Sequence, residues 1–165
     1  MARPTSVTSE TELPNVAEVL GRVLQRVPPQ DRPLLIALAE RMAAERYRGW
    51  AADPANRSRR SGLLACADRE EEIARRVESL HPAAASVQRD MLAKHPDLEE
   101  INRELFAGRP LEEQFAIQAR GERLGAATWR SLARRAEVEA ERQTFLGCAL
   151  LEEESAAYLE SLQGA

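Results

Sequence analysis

Four glutamates recur at a fixed interval. Thirty residues separate Glu40 from Glu70, and thirty separate Glu122 from Glu152. Each sits in an apolar stripe of helical spacing. Glu40 falls between Ile36 and the series Ala43, Tyr47 and Trp50, and Glu70 shares a face with Leu63, Ala67, Ala74 and Val77. Glu122 aligns with Phe115, Gln118, Gly125 and Trp129, and Glu152 with Phe145, Cys148, Ser155 and Leu159. Four carboxylates facing a core cannot all remain charged, because desolvation and mutual repulsion raise their pKa values until some take up protons. A bound cation, a shared proton or an arginine partner resolves the conflict. A divalent metal pair held by inward glutamates is the recurring solution in helical bundles. The competing reading is register drift that leaves one or two of them at the rim, paired with Arg41 or Arg123.

The elements that must carry these residues follow from composition. The chain has 165 residues, enough for one domain, and only 4% aromatics. It is rich in Ala, Leu, Glu and Arg and poor in the residues strands favour, so an all-α fold is expected. Val16, Val19, Leu20, Val23 and Leu24 predict a short amphipathic helix within 14–27, ended by Pro28-Pro29. Long helices are predicted from Asp31 to about Ala52, from about Arg57 to His81, from Pro110 to about Glu137 and from about Ala140 to Leu162. Two short helices, near Ser86–Lys94 and Leu98–Phe106, occupy the middle connection. Short links make each pair of long helices an antiparallel hairpin. A long middle link suits a crossover returning the chain to the same end, the ferritin-like arrangement, with the second and third long helices parallel. The expected division is residues 1–30 as a polar tail with the short helix, and 31–165 as a ferritin-like four-helix bundle.

An internal repeat supports two related hairpins. Displaced by 82 residues, 36–80 matches 118–162 without a gap at roughly one position in three. Glu40-Arg41 falls on Glu122-Arg123, Tyr47-Arg48 on Trp129-Arg130, Cys66-Ala67 on Cys148-Ala149, and Glu70-Glu71-Glu72 on Glu152-Glu153-Glu154. A pseudo-two-fold axis between the hairpins is the expected consequence.

With these residues the chain resembles the rubrerythrin-like branch of the ferritin-like superfamily over residues 33–162. The similarity lies in Glu40 with Ala43, Tyr47 and Trp50, in the run Ala67 to Arg76 around Glu70, in Gly121-Glu122 with Trp129, and in Phe145 with Glu152-x-x-Ser155. The resemblance implies a dimetal centre with Glu40 and Glu122 as terminal ligands and Glu70 and Glu152 bridging. Both histidines of the family's Glu-x-x-His motifs are replaced, by Ile73 and Ser155, and an extra glutamate of some members is Gly125. The remaining all-oxygen set suits hard ions such as Mn²⁺, Mg²⁺ or Fe²⁺.

The resulting expectation is an iron- or manganese-binding dimetal-carboxylate protein, an oxidoreductase acting on peroxide or dioxygen. The alternative is a degenerate, metal-free ferritin-like domain serving as a scaffold or oligomerisation module. A net charge of −4 disfavours nucleic acid. No apolar run approaches the ~20 residues that span a bilayer, and no export signal is evident, so a cytoplasmic protein without membrane attachment is expected. The extra helix in 14–27 suggests a homodimer; the electron donor is left open. Cys66 and Cys148 read as small buried thiols or, more sharply, as a redox pair. Tyr47 and Trp129 read as core packing, His81 as a helix C-terminal residue and His95 as a loop residue.

Overall fold

The structure, a computed structural model, describes residues 12–163, and among these no strand occurs. The protein is all-α. Residues 1–11, most of the expected polar tail, therefore fall outside the described residues. Helix α1 (Val16–Leu24) is capped by Asn15, whose side chain accepts the Glu18 N–H. After Pro28-Pro29 and one 3-10 turn, α2 runs Arg32–Ala52 with Pro33 in its first turn, where the missing N–H costs nothing. Then come α3 (Arg60–Glu78), α4 (Ala84–Lys94), α5 (Leu98–Glu104), α6 (Leu111–Arg135) and α7 (Glu139–Leu162).

The predicted second long helix is shorter than expected at both ends. Residues 54–59 form a 3-10 segment, because Asp53 accepts the Ala55 N–H and the buried Asn56 side chain donates to the Trp50 carbonyl. At the other end the chain leaves α3 at Glu78. His81 lies just beyond the last turn of α3, its backbone N–H donating to the Glu78 carbonyl, with its Nε2 buried and without a partner.

Helix directions follow from cross-helix pairs. Arg41 meets Glu78 and Arg48 meets Glu71, so α2 and α3 are antiparallel. Arg123 meets Glu160 and Arg130 meets Glu153, so α6 and α7 are antiparallel. Tyr158 lies over Gly62 while Ser155 meets Glu70, which sets α3 against α7. Trp50 bonds Gln114 and Tyr47 bonds Glu122, which sets α2 against α6. Each long helix is thus antiparallel to its neighbours, and α3 and α6 run in the same direction, connected through α4 and α5.

The 82-residue repeat survives in the ion pairs. Arg41–Glu78 corresponds to Arg123–Glu160, and Arg48–Glu71 to Arg130–Glu153. The interior divides into an end around Trp129, Phe145, Ile73 and Val77 and an end around Tyr47, Trp50, Leu63 and Phe115. Trp50 stands edge-on to both Tyr47 and Phe115, with centroids 5.4 and 5.1 Å apart. No helix among the described residues is long and apolar enough to cross a membrane.

Candidate metal centre

All four glutamates are buried between these two apolar ends, with 7% of Glu40 exposed and no more than 1% of Glu70, Glu122 and Glu152. The arginines of the rim reading are engaged elsewhere, Arg41 with Glu71 and Glu78 and Arg123 with Glu160. Glu154, two residues on from Glu152, is exposed and pairs with Arg69 at 3.0 Å.

Glu40, Glu70 and Glu152 each offer a carboxylate oxygen within 4.8 Å of the others. Glu40 is close enough to Glu70 and Glu152, and Glu152 to Glu122, for a proton held on one carboxyl to be shared with the next. Glu122 stands beside this trio in a different environment. It accepts the Tyr47 hydroxyl at 2.6 Å and the Gln118 amide at 2.8 Å. Trp129 Nε1 donates to Glu152 at 2.9 Å, and Ser155 Oγ donates to Glu70 at 3.0 Å. The other Glu70 oxygen, Oε2, is buried with no partner.

The electrostatics follow from burial. Loss of solvent pushes the Glu40 carboxyl up to about 7, with the neighbouring Glu122 charge adding to the rise. Glu70 and Glu152 are driven well above the ordinary carboxylate range, first by burial and then by the charges of the other glutamates. The positive charge nearest the cluster belongs to Arg46, which burial lowers to about 10. Its guanidinium donates to Gln118 at 2.7 Å and to Asn102, and lies 3.8 Å from the Phe106 ring centroid. No carboxylate among the described residues pairs with it. Its charge favours the ionised form of Glu40, and it orients Gln118, which donates to Glu122.

A hard divalent ion fits the trio. With metal–oxygen bonds of about 2.1 Å, adjacent ligand oxygens lie about 3 Å apart and opposite ones about 4 Å apart, within the spread of these three carboxylates. The unpartnered Glu70 Oε2 is a buried acceptor that such an ion would satisfy. Neither residue at the positions where the resemblance would have histidines is a ligand here: Ile73 is fully buried in the apolar core, and Ser155 is occupied as a donor to Glu70.

Gly125 makes the arrangement sterically possible. A Cβ there would stand 2.4 Å from Glu152 Oε1, so the Glu152 carboxylate occupies the space a side chain would need. Tyr47 and Trp129, expected as packing residues, are fully buried and pack on neighbouring aromatics, and each also supplies a hydrogen bond to a carboxylate. The polar atom on each buried ring was the available signal, since such groups need a partner. Gln118 left a trace of the same kind, a polar side chain in the inward stripe of Glu122, whereas Arg46 left none. Cys66 and Cys148 are buried and free, and burial raises both thiols, Cys148 to about 12, which leaves them protonated.

Comparison of the chain with protein-family models, with curated proteins and with solved structures gives no match in any of the three.

Proposed function

We propose that this protein is a ferritin-like metal-carboxylate protein that binds iron or manganese through Glu40, Glu70 and Glu152. The observation that carries the reading is the convergence of three buried carboxylates within 4.8 Å, one with an orphaned oxygen, without an arginine paired to any of them. The antiparallel neighbours, the parallel α3 and α6 and the crossover through α4 and α5 support the ferritin-like assignment. So does the resemblance to the rubrerythrin-like branch.

In that scheme the trio is one half of a dimetal site. Glu122 supplies the other half only when its carboxylate exchanges the Tyr47 and Gln118 hydrogen bonds for a second ion. One ion per chain is therefore the expected first occupancy. A redox-active ion there would supply the chemistry for peroxide or dioxygen. The chain's own residues hold the ligands: Trp129 fixes Glu152, Ser155 fixes Glu70, and Tyr47 and Gln118 fix Glu122.

The same donors favour a second reading, a metal-free scaffold in which protons and hydrogen bonds do all the compensating. Titration with Mn²⁺, followed by loss of the free-ion resonance signal, separates the two. Saturable uptake of one ion per chain supports the metal centre. A signal that tracks added Mn²⁺ without loss supports the scaffold.

A further inference from the structure

The side of the carboxylate cluster towards α1 is not packed. A cavity of about 230 Å³ lies between α1, α2, α5 and α6. Its wall is aliphatic, with Leu20 and Leu24 from α1, Met42 from α2, Leu105 beyond α5 and Ile117 from α6. Glu40, Glu122 and Glu152 form part of the same wall.

Two glycines one turn apart on α6 open the space. Gly121 has nothing within 4 Å of where a Cβ would stand, so its surface is bare cavity wall. At Gly125 the missing side chain lets the Glu152 carboxylate reach the lining. Val19, Leu20, Val23 and Leu24 of α1 are only half-buried: Val23 and Leu24 rest on the cluster around Leu34, Leu35 and Met91, and the same face also spans the cavity. Glu40 is more than nine-tenths buried and lines the cavity, and its polar neighbours are the other carboxyls of the cluster: no N–H, alcohol or phenol among the described residues donates to it.

We propose that this cavity binds a small, neutral, largely hydrocarbon molecule, held beneath α1 with one end against Glu40. Size sets the class. An apolar cavity of about 150 Å³ accommodates benzene, so one of this volume takes roughly eight to ten carbon atoms, a naphthalene or an eight-carbon chain. The wall selects against charge. Arg46, the cation at the rim, is already engaged by Gln118, Asn102 and the Phe106 face, and the glutamates repel an anion. A neutral group ending in a hydroxyl or carbonyl can meet the Glu40 carboxyl without adding buried charge.

Occupancy of the cavity requires only its shape and stands apart from the metal reading. That such a molecule is the substrate class of the carboxylate centre rests on that reading. The test uses the full-length, chelator-treated protein, with naphthalene as the probe, followed by its own fluorescence and displaced by octan-1-ol. The expected result is saturable binding of one naphthalene per chain and displacement by octan-1-ol but not by octanoate. Gly121→Phe fills the bare wall and should weaken binding at least tenfold, with Gly121→Leu intermediate. Both should leave the helical circular dichroism unchanged and the melting temperature no lower, since glycine is the poorer helix former. Mn²⁺ uptake by Gly121→Phe should equal that of the parent, so loss of the cavity and loss of the metal site are read separately. Non-saturable binding, or equal binding by parent and Gly121→Phe, overturns the proposal. So does a parent dimer that Gly121→Phe converts to monomer while naphthalene goes unbound, since the space would then be covered by a second copy.

Discussion

Metal-free protein should lose stability as the pH rises from 5 to 8, the reverse of what paired surface carboxylates would produce. The group responsible first is Glu40, whose carboxyl rises from 4.5 to about 7 on folding, chiefly through burial. Around it stand Glu70 on α3, Glu122 and, through Gln118, Arg46 on one side, and Glu152 on α7. Between the two values the folded chain holds a proton that the unfolded chain has released. Stability then falls with pH, being fully present below about 4.5 and lost as the pH passes about 7. A rise of about 2.5 pH units, at roughly 1.4 kcal/mol each, is worth about 3–4 kcal/mol. Glu70 and Glu152, raised further, extend the fall above 7. Surface carboxylates such as Glu78 and Glu160 are held below their ordinary values by Arg41 and Arg123. Their contribution is lost only as the pH falls below about 4.5, outside this window. Urea unfolding of chelator-treated protein at pH 5, 6, 7 and 8 measures the effect. Glu40→Gln, which cannot ionise, should flatten the profile by about the stated amount. A stability that is constant or rising across pH 5–8, or a Glu40→Gln profile with the parent slope, would refute the reasoning.

Other substitutions probe the supporting residues. Trp129→Phe keeps an aromatic ring for stacking on Phe145, 5.5 Å away, but removes the donor to Glu152, and should cost about 1–3 kcal/mol in urea unfolding of the metal-free protein. Gly62→Ala places a Cβ 2.1 Å from the Tyr158 ring, and should lower stability by about 1–3 kcal/mol while leaving Mn²⁺ uptake intact once folded. Ile73→His with Ser155→His restores two imidazoles beside the trio and should raise Fe²⁺ affinity at least tenfold in competition with a chromogenic chelator. Unchanged affinity would mean that the α3–α7 geometry does not aim those side chains at the ion.

Much of the helix order was legible because the chain punctuates itself. Pro28-Pro29, Asp53-Pro54, Pro82 and Pro110 stop or start helices for steric reasons that no tertiary contact overrides. Burial of the four glutamates followed from their positions in apolar stripes, and the 82-residue repeat pairs Glu152 with Glu70. What periodicity could not carry was the asymmetry between the halves. Tyr47 and Trp129 occupy equivalent positions in the repeat, yet Tyr47 reaches across to Glu122 while Trp129 bonds Glu152 within its own hairpin. Side-chain length and the gap at Gly125 decide this, and neither leaves a periodic trace. The 3-10 segment at 54–59 was missed for a similar reason, since it depends on one buried asparagine bonding the end of the preceding helix. The cavity was invisible because α1 has the pattern of a helix packed on a core, although half of that face covers empty space.

The most direct measurement is the metal content of two adjacent variants. Glu70 is wholly buried in the trio, whereas Glu71 lies on the outer face, bonded to Arg41 at 2.7 Å and Arg48 at 3.2 Å. Protein, Glu70→Ala and Glu71→Ala are each purified without chelators, loaded with Mn²⁺ or anaerobic Fe²⁺, dialysed and analysed by mass spectrometry. The metal-centre account predicts about one ion per chain in the parent and in Glu71→Ala, and none in Glu70→Ala. Equal metal in all three, or none in the parent, would contradict it.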